Sequence, residues 1–346
     1  MRKVIVAAIL GLVATSLTAQ VRLNGAGATF PNIIYQTWVL TYNQKFDNVE
    51  INYQSIGSGG GIRQFSDKTV DFGGTDAPMT DSAIAAIGGN VLHLPTVLGA
   101  VVLIYKLEGV SAPLKFTPDV LADIFLGKIT KWNDPRVASV NPGVTLPNMD
   151  IIVVHRSDGS GTSFIFTDYL SKVSPAWAQK AGKGTSVNWP VGLGGRGNEG
   201  VSATVQQTPG AIGYAELGYA LINKMAFGQV QNKAGTFITP TIDAVTAAAA
   251  GAMTEMGPGT DFRVSITNSP GAQAYPISSF TWLLVRKQYP DAAKARELAK
   301  FIWWCETQGQ ALAPKLGYAP LPPQLQPWIK DRLKSITAGG RVAWTN

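Results

Sequence analysis

The chain has 346 residues, of which 45% are hydrophobic and 15% are charged, and this balance excludes an intrinsically disordered chain. The net charge of +7 is compatible with attraction of a small anion, but the basic residues are scattered, which argues against a nucleic-acid-binding protein. Cys305 is the only cysteine, so an internal disulfide is excluded, and its apolar surroundings predict a buried side chain. The length predicts about two domains.

The first residues have the pattern of an export signal. Arg2 and Lys3 precede an apolar run over residues 4–14, and small residues follow up to Ala19. The run is shorter than the roughly 20 apolar residues that span a bilayer. We therefore predict a signal peptide over residues 1–19 and a free, soluble protein in the periplasm.

After this segment, short apolar runs alternate with amphipathic stretches. Strands that alternate with helices predict an α/β protein built on mixed sheets. The alanine-rich stretch 241–252 also predicts a helix. The predicted strands cover residues 49–57, 97–106, 150–156, 210–216 and 281–287, and the other predicted helices cover residues 31–46, 163–173 and 292–308.

Glycine flanks three of the expected helix starts. The first N–H groups of a helix have no partner within the helix, and the helix dipole makes this end partly positive, so an anion can bind there. Serine and threonine also cap helices that bind nothing, which is the ordinary explanation of each start alone. The residues at the three starts are Thr29 and Phe30, then Ser58 as a cap before three glycines, and then Ser160, Gly161 and Thr162.

Charged residues stand close to these starts. Arg156 ends a predicted strand and could donate two parallel hydrogen bonds to an oxyanion, while Asp158 could hold its guanidinium or cap the same turn.

Asp76, at another strand end, is either a turn residue or an acceptor beside the anion. A carboxylate there repels an anion unless the anion has a proton to donate. Phosphate near neutral pH has such a proton and sulfate does not, so Asp76 would discriminate between them.

Seven segments of the chain together carry a resemblance to a known family. The segments are GAGATFP (25–31), YQSIGSGGG (53–61), DFGGTDAPM (71–79), FLGKITKWNDP (125–135), HRSDGSGTSFIFTDYL (155–170), VGLGGRGNEGV (191–201) and PGAIGYAE (209–216). In this order they resemble the periplasmic phosphate-binding proteins of bacterial ABC-type phosphate uptake. The resemblance covers nearly the whole chain that follows the predicted signal peptide.

The resemblance implies a two-lobed type II periplasmic binding protein. Each lobe would have a mixed central sheet flanked by helices, and the ligand would lie in the cleft between the lobes. The chain would cross between lobes near residues 97–102 and return near residues 275–280. One lobe would then comprise residues 20–98 and 278–346, and the other residues 99–277.

Matched position by position, the resemblance also implies a set of phosphate ligands from both lobes. Asp76 would accept the phosphate proton, and Asp158 would hold Arg156. Phe30 and Gly161 would contribute backbone amides. The implied ligands are Thr29, Phe30, Ser58 and Asp76 from the first lobe, and Arg156, Ser160, Gly161 and Thr162 from the second.

Two positions depart from the family pattern. His155 stands where the family commonly has a second arginine, and Gly74-Thr75 replaces a more usual small pair before Asp76. Neither change removes an implied ligand. His155 alters the charge near the mouth of the cleft, so the affinity could differ from that of relatives.

A phosphate-ester hydrolase that uses Ser160 with His155 is the enzymatic alternative. The nucleophile motif G-x-S-x-G would need glycine at position 158, where Asp158 stands. His93 lies among apolar residues, as a core histidine does, and no His, Cys or carboxylate spacing suits a metal. The loop GLGGRG (192–197) lacks an acidic ribose partner, so we interpret it as a structural loop before a helix. We expect no catalysis, no metal and no cofactor.

The sequence thus predicts high-affinity, reversible binding of inorganic phosphate and its delivery to an inner-membrane ABC permease. Arsenate, a protonated oxyanion of similar shape, should bind as well, and a monomer suits a freely diffusing carrier. A binding protein for sulfate or molybdate is the other alternative, and Asp76 argues against it because neither anion carries a proton. A surface or adhesive role is left open.

Overall fold

The computed structural model describes residues 20–110 and 112–345, and the predicted signal peptide lies outside them. The strands are β1 (Val21–Gly27), β2 (Val49–Ser55), β3 (Phe72–Thr75), β4 (Leu92–Tyr105), β5 (Lys115–Phe116), β6 (Ile152–Arg156), β7 (Leu193–Gly195), β8 (Ala211–Glu216), β9 (Ala226–Phe227), β10 (Gln229–Gln231), β11 (Phe237–Ile238), β12 (Ser278–Val285), β13 (Gln288–Tyr289), β14 (Thr337–Ala338) and β15 (Arg341–Val342). The helices are α1 (Asn32–Lys45), α2 (Ser58–Ser66), α3 (Asp81–Ala86), α4 (Pro118–Phe125), α5 (Pro135–Ser139), α6 (Gly161–Val173), α7 (Pro175–Lys180), α8 (Gly197–Gln207), α9 (Leu217–Ile222), α10 (Ile242–Ala250), α11 (Ala292–Glu306) and α12 (Leu325–Lys334), with 3₁₀ turns at Gln308–Leu312 and Pro314–Leu316.

A mixed sheet forms the centre of the molecule. Its strand order is β2-β1-β3-β12-β4-β8-β6-β7, and β9 also pairs with β4. The strands β2, β1 and β3 are parallel to one another, whereas β12 is antiparallel to both β3 and β4. Strands and helices alternate along the chain, so the architecture is α/β on a mixed sheet, as the sequence predicted.

The long strand β4 joins the two halves of this sheet. Every residue from Leu92 to Tyr105 is buried, as expected of a largely apolar run that is covered on both faces. Residues up to Ala100 pair with β12, and residues from Val101 onward pair with β8. The strand therefore changes its partner within the segment where the resemblance places the first crossing between lobes.

Most predicted elements are confirmed, with small shifts at their ends. The structure has helices at 32–45, 161–173 and 292–306, and the alanine-rich stretch forms α10. The sequence did not predict β1, and it indicated β3 only as a strand end before Asp76, because the glycines of both strands resemble a loop. In the structure, a Cβ on Gly27 would overlap the backbone of Gly74. Glycine at this position allows the backbones of the two neighbouring strands to approach each other, so it belongs to a strand rather than to a loop.

Two residues that the sequence assigned to the core are buried. Cys305 is inaccessible to solvent within α11. His93 is 1% exposed, and its Nε2 accepts the Met79 N–H at 3.1 Å. Within residues 20–110 and 112–345, the helices are too short or too polar to cross a membrane.

Candidate anion-binding site

The candidate site lies where strands from both halves of the sheet end. Thr29 follows β1, Asp76 directly follows β3, and Arg156 is the last residue of β6. All three side chains are buried. The carboxyl ends of strands are where open α/β sheets usually bind ligands, and here these ends bring together residues that are distant in the sequence.

Three helices begin around these strand ends, as the sequence predicted. α1 begins after Pro31, α2 begins at Ser58, and α6 begins at Gly161. Several backbone N–H groups at these starts have no hydrogen-bond acceptor within the described chain, so they are available to an anion. They belong to Thr29, Phe30, Ser58, Gly60, Gly161 and Thr162.

Two details at the start of α2 correct the sequence prediction. Ser58 is not the cap of α2, because Gly57 takes the N-cap position with a φ of 87° and Ser58 becomes the first helical residue. The Ser58 hydroxyl instead accepts the Asp76 N–H at 3.1 Å. The Gly59 N–H is not uncovered either, since it donates to the Gly159 carbonyl at 2.9 Å. A Cβ on Gly59 would lie only 3.1 Å from the Gly159 Cα, so the two glycines allow this contact.

The Asp76 carboxylate lies among these hydrogen-bond donors. Its Oδ1 accepts from the Thr281 hydroxyl at 2.7 Å, and its Oδ2 is 3.4 Å from the Ser58 hydroxyl. A Cβ on Gly161 would overlap both Ser58 Oγ and Asp76 Oδ2, so the start of α6 lies directly against the carboxylate. Burial raises the pKa of Asp76 to about 7, although Thr281 and Arg156 act in the opposite direction. Near neutral pH the group can therefore either accept or donate a proton.

The Arg156 guanidinium is oriented by Asp158. Arg156 Nε donates to Asp158 Oδ1 at 2.7 Å and Nη2 donates to Oδ2 at 2.5 Å. The remaining Nη1 donates to the Thr162 hydroxyl at 3.3 Å. Ser160, rather than Asp158, caps α6 by accepting the Ser163 N–H at 2.9 Å. Of the two roles that the sequence allowed for Asp158, the structure shows the bidentate ion pair.

Sequence reasoning did not single out two polar residues of this site. Thr281, in β12, bonds to Asp76 although 205 residues separate the two, and nothing in its strand sequence marks it. Asn198 donates from Nδ2 to the hydroxyls of Thr29, at 2.7 Å, and Thr162, at 3.1 Å. Its position immediately after the GLGGRG loop was the available signal. That loop does lead into a helix, as predicted.

The pair proposed for hydrolysis is not assembled. The His155 ring stacks on Trp189 with centroids 4.9 Å apart, and its Nδ1 lies 3.1 Å from the Arg156 carbonyl oxygen. Burial lowers the pKa of His155, which favours the neutral ring. The Ser160 hydroxyl is engaged as the helix cap. In the part of the chain that the structure describes, there is also no group of three His, Cys, Asp or Glu side chains placed to hold a metal ion.

Comparison with known proteins assigns the family. A family model described as the PBP superfamily domain matches residues 13–305. The phosphate-binding protein PstS of Xylella fastidiosa is 47% identical over 309 residues, which cover 89% of this chain and 84% of that protein. The chain belongs to the PBP superfamily and to its PstS phosphate-binding protein family. The phosphate-binding protein PstS of Pasteurella multocida is 43% identical over 333 residues, which cover 95% of each chain.

The solved structures support the fold independently. PfluDING, a high-affinity periplasmic phosphate-binding protein solved with bound phosphate, superposes with a TM-score of 0.70 and 21% sequence identity, and the match covers 93% of this chain and 95% of that one. This likeness confirms the predicted fold class, a type II periplasmic binding protein.

The family is one of binding proteins rather than enzymes, so the predicted absence of a hydrolase activity is also confirmed.

Proposed function

We propose that this chain binds inorganic phosphate reversibly and with high affinity, and that it delivers the anion to an inner-membrane ABC permease. One observation carries the proposal: the buried Asp76 carboxylate faces a set of hydrogen-bond donors that includes Arg156 and the free N–H groups at three helix starts. The donors suit unprotonated oxygens of an anion, and Asp76 suits an oxygen that carries a proton.

Phosphate near neutral pH presents both kinds of oxygen, whereas sulfate and molybdate present no proton. The expected discrimination is therefore a matter of hydrogen-bond complementarity rather than of shape. The names of the relatives agree with this ligand, since the related proteins of Xylella fastidiosa and Pasteurella multocida are phosphate-binding proteins. Arsenate, which carries a proton like phosphate, is expected to bind too.

The proposed ligands combine side chains and backbone amides. Arg156 supplies positive charge in a buried environment, where charge-assisted hydrogen bonds are strong. Asp158 orients that guanidinium without contacting phosphate in this proposal. The proposed ligands are Thr29, Phe30, Ser58, Asp76, Arg156, Ser160, Gly161 and Thr162.

We also propose that the ligand binds between two lobes that close like a hinge. The lobes are residues 20–98 with 278–346, and residues 99–277. The change of partner along β4 supports this division, because the strand leaves β12 after Ala100. Contacts between the proposed lobes include the Gly59 N–H bond to Gly159 and the Asn198 bond to Thr29. The protein would act in the periplasm, after removal of residues 1–19, as a monomer.

Calorimetric titration with phosphate tests this function. The native protein is expected to bind one phosphate, and Arg156→Ala is expected to weaken binding by about 100-fold or more, because it removes a buried charge from the anion. Arg136→Ala is the matched control, since Arg136 is half-exposed and pairs with Asp123 and Asp134 on the surface. Thermal unfolding without ligand checks that each variant folds. Equal affinity in the native protein and Arg156→Ala would place the site elsewhere.

A further inference from the structure

Asn198 connects two of the proposed ligands through their hydroxyl groups. It is fully buried near the start of α8. Its Nδ2 donates to Thr29 Oγ1 at 2.7 Å and to Thr162 Oγ1 at 3.1 Å, and its backbone N–H also donates to Thr29 Oγ1 at 3.3 Å. One amide thus links a residue that follows β1 with the second residue of α6.

The orientation of this amide is fixed by its other end. Asn198 Oδ1 accepts the backbone N–H of Glu216 at 3.0 Å. The reverse orientation would place the amide NH₂ against that N–H, and both threonine hydroxyls would then face an oxygen. Because the Glu216 N–H is a donor only, the amide must present its NH₂ group to the two hydroxyls.

The two hydroxyl oxygens are consequently saturated as acceptors. A hydroxyl has two lone pairs and one hydrogen. Thr29 Oγ1 accepts from Nδ2 and from the backbone N–H of Asn198, while Thr162 Oγ1 accepts from Asn198 Nδ2 and from Arg156 Nη1 at 3.3 Å. Among the described residues, neither hydroxyl hydrogen has an acceptor of its own. Each hydroxyl can therefore only donate to a ligand.

We propose that Asn198 is a positioning residue that makes Thr29 and Thr162 obligate hydrogen-bond donors toward unprotonated oxygens of the bound anion. The inference rests on the proposed function. Both threonines need unprotonated ligand oxygens, and the one ligand proton goes to Asp76.

The test is a double-mutant cycle measured by phosphate calorimetry. Asn198→Ala is expected to weaken binding by roughly 10- to 100-fold, because it removes the two side-chain hydrogen bonds that orient the ligand hydroxyls. In a Thr29→Val/Thr162→Val background the same substitution is expected to change affinity less than about threefold, because the hydroxyls through which it acts are gone. Equal losses in the two backgrounds would overturn the inference.

A matched control separates positioning from stability. Asn232 is also buried and bonds to backbone groups of its own loop and to the carbonyl of Ala274. Asn232→Ala is expected to lower the unfolding temperature without changing phosphate affinity. Asn198→Asp keeps the acceptor for the Glu216 N–H but replaces the donor with a carboxylate oxygen, so it is expected to lose affinity both through the lost donor and through repulsion of the anion. Native affinity in Asn198→Asp would contradict the inference even if Asn198→Ala failed to fold.

Two single-threonine backgrounds supply a second readout, and they decide if the doubly substituted background binds too weakly to measure. In Thr29→Val alone and in Thr162→Val alone, Asn198→Ala is expected to reduce the affinity less than it does in the native protein. An undiminished loss in both backgrounds would refute the positioning role. Absence of phosphate binding in the native protein would instead refute the proposed function.

Discussion

Asp76→Asn should convert a phosphate site into one that also accepts sulfate. The asparagine has nearly the same shape and keeps an oxygen to accept from Thr281, but it replaces the carboxylate oxygen beside Ser58 and Gly161 with an NH₂ donor. The substitution removes a negative charge that a fully deprotonated anion would otherwise meet at close range.

The magnitude follows from the burial of this charge. Two unit charges about 4 Å apart interact by about 4 kcal/mol at the effective dielectric constant usual for proteins, about 20. A difference of 1.36 kcal/mol changes an affinity by a factor of ten. Removing this repulsion should therefore raise the sulfate affinity by two to three orders of magnitude. Phosphate affinity should fall by about 10- to 100-fold, because a hydrogen bond to a charged group contributes about 1.5–3 kcal/mol.

The assay is calorimetric titration with each anion in alkaline solution, where native Asp76 is a carboxylate. Asp150→Asn is the control, since Asp150 pairs with Lys131 on the surface and its side chain is 69% exposed. Thermal unfolding shows whether each protein folds. If Asp76→Asn gained no affinity for sulfate, charge repulsion by Asp76 could not be the source of selectivity.

Two further substitutions test other parts of the account. Both carboxyl oxygens of Glu306 are buried and have no hydrogen-bond partner among the described residues, and burial raises its pKa well above the usual value. Glu306→Leu should therefore increase the free energy of unfolding by about 1–3 kcal/mol. Chemical denaturation measures this, and a loss of stability would show that the carboxyl group has a favourable role. His155→Arg should raise phosphate affinity roughly threefold at low salt, because a permanent positive charge replaces a neutral ring, and the gain should disappear at high salt. An unchanged affinity at low salt would mean that position 155 does not influence the anion.

The sequence predicted those parts of the fold that follow from local pattern. Apolar runs and helix starts located β4, β6, α1, α6 and α11 to within a few residues. The strand β1 escaped prediction, and β3 was indicated only by its end at Asp76, because their pairing depends on the close approach of Gly27 and Gly74, which is a tertiary property. Propensity places glycine in loops, whereas here glycine allows backbones to pack.

The site was predicted in a similar, partial way. Charged residues such as Arg156 and Asp76 stand out in the sequence because each stands at a strand end, where its charge would attract or repel an anion bound at the nearby helix starts. Neutral residues give no such signal. Thr281 lies inside an apolar strand and Asn198 follows a glycine loop, so only their contacts with Asp76 and Thr29 reveal their roles. Ser58 and Asp158 could each have been a helix cap from the sequence. Folding instead brings Ser58 next to the Asp76 N–H and Asp158 next to the Arg156 guanidinium.

The central claim is that Asp76 selects the anion by its proton, and titration of the native protein with phosphate and sulfate across a range of pH tests it most directly. Above the pKa of about 7, Asp76 is a carboxylate, which in the proposed site would accept the phosphate proton and repel sulfate. Below that pKa it carries a proton that it can donate to sulfate. Phosphate is therefore predicted to bind far more tightly than sulfate in alkaline solution, and sulfate binding should strengthen as the pH falls through about 7. Sulfate affinity equal to that of phosphate in alkaline solution, or independent of pH, would contradict the account.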